Sequence, residues 1–248
     1  MSEEFQCDLE TKYVAHLSRL VFCYRNRALP WDPNLAEDAG ELDSFVRFLV
    51  MRLLNSLKGK ALNYTKDGRD DGQARSNIFM MNNSFYLLEE LGPNSISSND
   101  PRDMEVYRIE NTWFVDKVNK LLDSEKQKYL GHWEALNTHL TSVGELEYQK
   151  NDSNAISYDS GKLIKNRFSG FNEDFEKTYQ LHKKMCVIDP RLRQQLQEAV
   201  ADVFLPRYKR FYQKYTKIRF SKRHQQDYTK FNPEVIEVML SDMYVDPE

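Results

Sequence analysis

Apolar side chains recur along the chain at the three-and-four spacing that places them on one face of an α-helix. The pattern is clearest between residues 42 and 57, where the repeating positions fall within about one third of a helical wheel drawn at 100° per residue. These positions are Leu42, Phe45, Val46, Leu49, Leu53 and Leu57, with Val50 and Leu54 widening the stripe on one side. We predict an amphipathic helix there, with this stripe facing a core.

Further helices are predicted by the same spacing over residues 8–27, 72–91, 101–132 and 160–182. Two more helices have strong start signals, because Asp189 precedes Pro190 and Asn232 precedes Pro233. A side-chain oxygen before a helix accepts hydrogen bonds from its free N–H groups, and proline has no N–H to lose at the first helical position. We expect the helix that opens at Pro190 to kink or restart at Pro206.

The fold class predicted from these patterns is all-α, built of antiparallel helices. No segment alternates convincingly at period two, and 9 Gly and 8 Pro are few for the tight turns of a barrel or sandwich. Residues 144–161 are rich in Asn, Ser, Asp and Gly and follow neither period, which is typical of a loop or linker. We predict that this segment separates a helical bundle over residues 1–143 from a second bundle over residues 162–248.

The composition is that of a globular protein, with about 40% apolar residues and a mean hydropathy of −0.71. No run of about 18 uncharged apolar residues suggests a membrane span, and the first residues lack the basic and apolar regions of a signal peptide. The three cysteines are odd in number and far apart, which suits reduced thiols. We therefore expect a cytosolic protein.

Signatures of catalysis are missing, since the chain has no phosphate-cradling Gly-rich loop, no His-Glu-x-x-His and no Gly-x-Ser-x-Gly. His182 and Cys186 stand four apart on one predicted helix and could share a metal. Structural zinc takes four ligands, however, and no second pair at ligand spacing lies nearby. We predict no enzyme activity, no metal and no cofactor, with His182 half-buried beside a core cysteine.

Charge is distributed unevenly along the chain. Residues 203–230 contain nine basic residues and one acidic residue, a net charge of +8. Because the whole chain carries −3, the remaining residues carry −11. The chain is therefore acidic over most of its length and basic near one end.

Aromatic residues run through the same basic stretch, so nucleic acid must be considered, because aromatic platforms beside basic grooves bind single strands. On a wheel at about 100° per residue, the aromatic residues fall within about 60° and the cations centre roughly 110° away. The aromatic set is Phe204, Tyr208, Phe211 and Tyr215, and the cationic set is Arg207, Arg210, Lys214 and Lys217. We expect the aromatic residues to face a core and the cations to face solvent, which favours an anionic membrane surface over nucleic acid. A solvated basic face that balances acidic neighbours is the remaining alternative.

Three stretches of the chain resemble a known protein family. They are Ser76-Asn-Ile-Phe-Met-Met-Asn-Asn-Ser-Phe-Tyr-Leu-Leu, Lys165-Asn-Arg-Phe-Ser-Gly-Phe-Asn-Glu and Phe231-Asn-Pro-Glu-Val-Ile-Glu-Val-Met-Leu-Ser-Asp-Met-Tyr. Their order and spacing resemble the C-terminal part of the 70-kDa subunit of the exocyst, the complex that tethers secretory vesicles to the plasma membrane. The resemblance covers nearly the whole chain.

The resemblance implies an elongated rod of stacked helical bundles, no catalysis, and binding of phosphatidylinositol 4,5-bisphosphate by basic residues near the C-terminus. Charge, wheel position and resemblance together indicate nine phosphoinositide-binding residues: Lys165, Arg167, Arg207, Arg210, Lys214, Lys217, Lys222, Arg223 and Lys230. The implied partners are other exocyst subunits and this lipid, with Rho-type small GTPases as further candidates and no nucleic acid. The implied location is cytoplasmic, peripheral on the inner face of the plasma membrane.

The chain departs from the family pattern at two positions. In relatives the last basic site resembles Lys-Tyr-x-Lys-Tyr, whereas here Asp227 replaces the first cation and Lys230 keeps its place. Ser169 stands where the second stretch usually carries another lysine. The N-terminal coiled coil and first bundles of the family are also missing, so we expect a C-terminal fragment or a shortened member.

A second interpretation comes from another class of function. The basic face would then bind an acidic protein, such as a small GTPase or an actin-nucleating complex, and the chain would be a protein-interaction scaffold without lipid contact.

Overall fold

The computed structural model of the protein describes residues 11–16, 35–66, 68–91, 112–149 and 152–245. Residues 11–16 are helical, and the predicted helix over residues 8–27 otherwise lies outside the described residues. The further elements are α1 (Leu35–Lys66), α2 (Gly72–Leu91), α3 (Thr112–Glu134), a 3₁₀ helix (Ala135–Leu140), β1 (Tyr148–Gln149), β2 (Asp152–Ile156), α4 (Tyr158–His182), α5 (Pro190–Tyr215), α6 (Gln225–Tyr228) and α7 (Pro233–Ser241). The predicted all-α class is confirmed, with one small hairpin added.

The described residues divide into two compact units. Unit 1 holds the described residues up to Lys128 together with Val187–Leu192, and unit 2 holds Tyr129–Cys186 and the described residues from Arg193 onward. These units begin and end at other positions than the predicted bundles over 1–143 and 162–248, and that domain division stays a prediction. None of the helices in the described part of the chain is long and apolar enough to cross a bilayer.

The core of unit 1 forms where α1 packs on α2. The predicted stripe of α1 is confirmed from Val50 onward, since Val50, Leu53, Leu54 and Leu57 are buried. The side chains of its earlier members, Leu42, Phe45 and Val46, lie outside the described residues.

Both helix starts that proline indicated are confirmed. Asp189 Oδ1 accepts a hydrogen bond from Arg191 N at 2.8 Å before α5, and Asn232 Oδ1 accepts one from Val235 N at 2.7 Å before α7. These contacts satisfy N–H groups that a helix start leaves without an intrahelical partner.

Two helices continue further than the sequence pattern predicts. Helix α5 does not restart at Pro206 but runs through it to Tyr215. Helix α3 does not end before Trp133 but continues to Glu134, where a 3₁₀ helix follows. The Trp133 side chain is fully buried. In both helices, the burial of large side chains outweighs the local signal for a break.

A two-stranded hairpin occupies part of the segment for which the sequence predicts a loop or linker. Strands β1 and β2 pair antiparallel, with Tyr148 opposite Ile156. The hairpin is fastened to the start of α4, since Ser157 N donates to Glu147 O at 2.6 Å and Glu147 N donates to Ser160 Oγ at 3.1 Å. Strands this short show too few positions for period two to be recognised in the sequence.

The core of unit 2 is built mainly of aromatic rings from α4 and α5. Phe171 stacks on Tyr208 with the ring centroids 4.1 Å apart, and Phe168 meets Phe211 edge-on at 4.9 Å. All four rings are buried. Such pairs contribute about 0.5–1.5 kcal/mol each beyond the area that they bury, so α4 and α5 are held firmly against each other.

Gly161 marks a close approach between α4 and the segment that follows α5. A Cβ atom at Gly161 would lie 2.8 Å from the carbonyl oxygen of Phe220, whereas one at Gly131, in α3, would have no atom within 4 Å. We predict that Gly161→Ala destabilises the protein by about 1–3 kcal/mol, because backbone must move to admit the methyl group.

Gly131→Ala is the matched control for that substitution, since it also adds one methyl group at a helical position within unit 2. It should leave the melting temperature unchanged or raise it, because alanine favours a helix by up to about 1 kcal/mol over glycine. Thermal unfolding followed by circular dichroism measures both variants. Equal melting temperatures for the two would contradict the close packing at Gly161.

Candidate anion-binding site

Helix α5 has one aromatic face and one cationic face, as the wheel predicts. Phe204, Tyr208, Phe211 and Tyr215 are all buried. Four predicted cations are exposed, and we call them the α5 stripe: Arg207, Arg210 and Lys214 on the other face of the helix, and Lys217 two residues beyond its end. The predicted separation of aromatic residues from cations along this helix is confirmed.

The buried rings of α5 are unavailable for stacking on a nucleic-acid base. Tyr208 lies in the core and donates its hydroxyl hydrogen to the backbone oxygen of Phe231. Burial raises the pKa of Tyr208 well above its ordinary value, with a smaller contribution from Tyr212. The phenol therefore stays neutral and packs within the core, away from the exposed cations of α5.

Beyond the end of α5, Phe220 anchors the chain to the core. Its side chain is only 4% exposed and stacks on Phe168 with 5.5 Å between the ring centroids. Arg219, Lys222 and Arg223 flank this anchor and are exposed. A short polar segment is thereby held at a defined position with its cations outside.

These cations line a cavity of about 1140 Å³, which we call the basic cavity. Its walls are the end of β2, the first half of α4, the segment after α5, and α6: Ile156, Ser157, Tyr158, Gly161, Lys165, Ser169, Arg219, Phe220, Ser221, Lys222, Arg223, His224, Asp227 and Tyr228. Four of these residues are cationic, and Asp227 is the single carboxylate among them. The cavity therefore has a net positive charge and suits an anionic ligand.

Local contacts shape the basic cavity. On α4, the Lys165 ammonium lies 5.7 Å from the centre of the Tyr228 ring, a cation–π distance. In the segment after α5, the Ser221 hydroxyl donates to the backbone oxygen of Arg223 at 2.6 Å. His224 follows in the left-handed backbone region with φ of 59°, and its Nδ1 lies 3.7 Å from the Asp227 carboxylate.

The structure brings together three of the nine predicted site residues, Lys165, Lys222 and Arg223, in the basic cavity. The four residues of the α5 stripe are exposed and lie outside the cavity lining. Arg167 and Lys230 are engaged elsewhere, as described next. The role of all nine residues in binding stays a prediction.

Arg167 and Lys230 each have a partner that limits their availability. The Arg167 guanidinium donates to the backbone oxygen of Thr138 at 2.7 Å. The Lys230 ammonium lies 2.7 Å from the Glu176 carboxylate and over the Phe231 ring. Lys230 is therefore partly neutralised, although it keeps its place in the family pattern.

Other cations of the described residues are also neutralised by carboxylates. Arg191 contacts Glu89 at 2.6 Å and Asp189 at 3.0 Å, and Lys209 pairs with Glu237. Within the part of the chain that the structure describes, no such ion pair involves the cations of the basic cavity or the α5 stripe. Their charge is free to act on a ligand.

Sequence reasoning missed three residues of the basic cavity. Arg219 belongs to the basic stretch but is not among the nine predicted residues, and His224 and Tyr158 carry no motif that would single them out. The charge run is a usable signal for Arg219. The other two residues are recognised only because the fold places the start of α4 beside the segment after α5.

The possible metal pair has other partners. His182 is nearly fully buried, and its Nδ1 lies 2.8 Å from the Tyr129 hydroxyl, which donates to the Tyr244 hydroxyl. Cys186 is buried as well. Across the described residues, no group of three or more His, Cys, Asp or Glu side chains is placed to hold a metal ion.

Comparison with known proteins identifies the family. The family model for the C-terminal region of the Exo70 exocyst complex subunit matches residues 26–242. The chain belongs to this family. The predicted resemblance to the 70-kDa exocyst subunit is thereby confirmed.

Individual relatives of the Exo70 family are similar to the chain at low identity. Exocyst complex component EXO70A3 of Arabidopsis thaliana is 26% identical over 94% of this chain and 37% of its own length. Exocyst complex component 7 of Drosophila melanogaster is 25% identical over 70% of this chain and 24% of its own length. Exocyst complex protein EXO70 of Yarrowia lipolytica is 28% identical over 64% of this chain. The chain spans about a third of the length of the first of these relatives.

We predict that the cations of the basic cavity contribute little to folding. Lys222→Glu with Arg223→Glu should change the melting temperature by less than about 2 °C, because both side chains are exposed. Tyr208→Ala, on the buried face of α5, should lower it by more than about 5 °C through loss of a packed ring. Differential scanning calorimetry compares the variants, and unfolding of the double charge reversal would assign these cations to structure.

Proposed function

We propose that the chain is a non-catalytic exocyst module that docks on the inner face of the plasma membrane by binding phosphatidylinositol 4,5-bisphosphate. The observation that carries the proposal is the basic cavity, which is lined by four cations and a single carboxylate. Phosphate oxygens are acceptors that lysine and arginine bind through charge-assisted hydrogen bonds. Membership of the Exo70 family supports a role in the exocyst, whose other subunits are the expected protein partners.

The expected strength of this docking is modest. A Lys or Arg side chain near an anionic leaflet contributes about 1 kcal/mol, so four cations contribute about 4 kcal/mol, the free energy of a millimolar Kd. A headgroup with two phosphate monoesters concentrates more charge at one point than the lipids around it. Contacts of the α5 stripe with the surrounding leaflet would add to the affinity and increase its dependence on salt.

The uneven charge of the chain supports membrane contact through its basic stretch. Residues 203–230 carry +8, whereas the remaining residues carry −11. An anionic leaflet attracts the first set and repels the second. Contact with the leaflet through residues 203–230 is therefore favoured over contact through the rest of the chain.

The central test is charge reversal in the basic cavity. Arg219→Glu, Lys222→Glu and Arg223→Glu together should weaken binding to vesicles that contain the bisphosphate lipid by about 100-fold or more, since at least three contributions of about 1 kcal/mol are lost. Flotation with phosphatidylcholine vesicles, with and without the lipid, measures the effect at several salt concentrations.

A matched control carries the same change of charge in unit 1. Lys58→Glu, Lys117→Glu and Lys120→Glu are exposed and lie outside the basic cavity. This variant should bind nearly as the unchanged chain does. Equal loss of binding in both variants would mean that binding depends on the net charge of the chain and not on the basic cavity. Equal binding of the unchanged chain to neutral and bisphosphate vesicles would overturn the proposal.

Removing the carboxylate of the basic cavity should strengthen binding. Asp227→Asn deletes a negative charge from the lining, so we expect about fivefold tighter binding to bisphosphate vesicles. Asp123→Asn, an exposed residue of α3 in unit 1, provides the control with the same change of charge. Tighter binding by both variants alike, or by neither, would argue against a ligand phosphate near Asp227.

A second candidate function is favoured by the α5 stripe. Its four cations are exposed outside the cavity lining, three of them on one face of α5, which suits an acidic protein surface such as that of a small GTPase. This scaffold function needs no lipid. Pull-down without membranes, using Arg207→Glu with Lys214→Glu as the variant, should lose the protein partner while the cavity variant retains it.

A further inference from the structure

Tyr158 is an unusually exposed aromatic residue at the rim of the basic cavity. Its side chain is 79% exposed, the largest value among the exposed large hydrophobic residues of the described chain. It is the first residue of α4 and forms part of the cavity lining. A large ring is thus presented to solvent beside a cluster of cations.

The other two aromatic residues of the cavity lining have partners, whereas Tyr158 has none among the described residues. Phe220 stacks on Phe168, and Tyr228 contacts both Phe220 and the Lys165 ammonium. These rings support the cavity walls. Tyr158 therefore has no evident role in holding the described fold together.

The face of α4 that contains Tyr158 is also basic. At about 100° per residue, Tyr158, Lys162, Lys165 and Ser169 fall within about 60° of one another. Tyr158, Lys162 and Ser169 are exposed and Lys165 is half-buried. The ring is therefore followed along one face of the helix by two lysines, which complement an anionic surface.

We propose that Tyr158 inserts into the interfacial layer of an anionic bilayer while the basic cavity binds the phosphates of that bilayer. This inference rests on the proposed function and adds an apolar contact to it. Tyrosine suits this layer because its ring is apolar and its hydroxyl stays hydrated at the headgroup level. A soluble anion could fill the cavity but would leave the ring in water, so the bilayer is the occupant that uses both features.

The test replaces Tyr158 and measures two ligands. Tyr158→Ser should bind bisphosphate-containing phosphatidylcholine vesicles about five- to tenfold more weakly, with the same slope of affinity against salt, because the lost contact carries no charge. Its affinity for soluble inositol 1,4,5-trisphosphate should equal that of the unchanged chain. Tyr13→Ser, at a tyrosine of unit 1 that is 67% exposed, is the matched control and should bind both ligands normally.

A second measurement locates the ring directly. In Tyr158→Trp, tryptophan fluorescence should be quenched by lipids brominated near the headgroup, beyond the quenching seen with the unchanged chain. Absence of added quenching, or unaltered vesicle binding by Tyr158→Ser, overturns the inference while leaving the proposed function in place. Failure of the unchanged chain to bind bisphosphate vesicles would instead overturn both.

Discussion

The contact between Phe168 and Phe220 is the constraint on which the candidate site depends. The two rings stack with centroids 5.5 Å apart, and both are buried in unit 2. Phe220 lies in a segment without regular helix or strand, so its burial is what holds that segment against α4. Gly161 allows the backbone to approach closely enough for this contact. Three cations adjacent to Phe220 in sequence are consequently displayed along one wall of the basic cavity.

Helix α5 contributes aromatic rings to the core from one face and exposes cations on another. Its buried rings pack against α4, while its outward cations avoid the cost of burying a charge. The exposed cations fall into two groups. Lys209, Lys230 and Arg191 form ion pairs with carboxylates, whereas the cations of the basic cavity and the α5 stripe form none within the described residues. Stability and the capacity to bind anions therefore depend on different side chains of the same elements.

The sequence predicted those parts of the structure that local periodicity and capping determine. The two faces of α5 and the starts at Pro190 and Pro233 follow from neighbouring residues alone. The hairpin was not predicted because its strands are too short to show the alternation of apolar and polar residues that is typical of a strand. The site was predicted only in part, since the cavity joins Lys165 to residues more than fifty positions later. The ion pair between Glu176 and Lys230 likewise spans 54 positions and could not be read from a charge run.

In the proposed function, the basic cavity is the surface through which the chain meets an anionic membrane. Hydrogen–deuterium exchange of the chain bound to bisphosphate-containing vesicles is the decisive measurement. We expect new protection of backbone amides in residues 217–224 and at the start of α4, with none in α2. Protection confined to unit 1, or no change near the cavity while the chain is fully bound to vesicles, would contradict it.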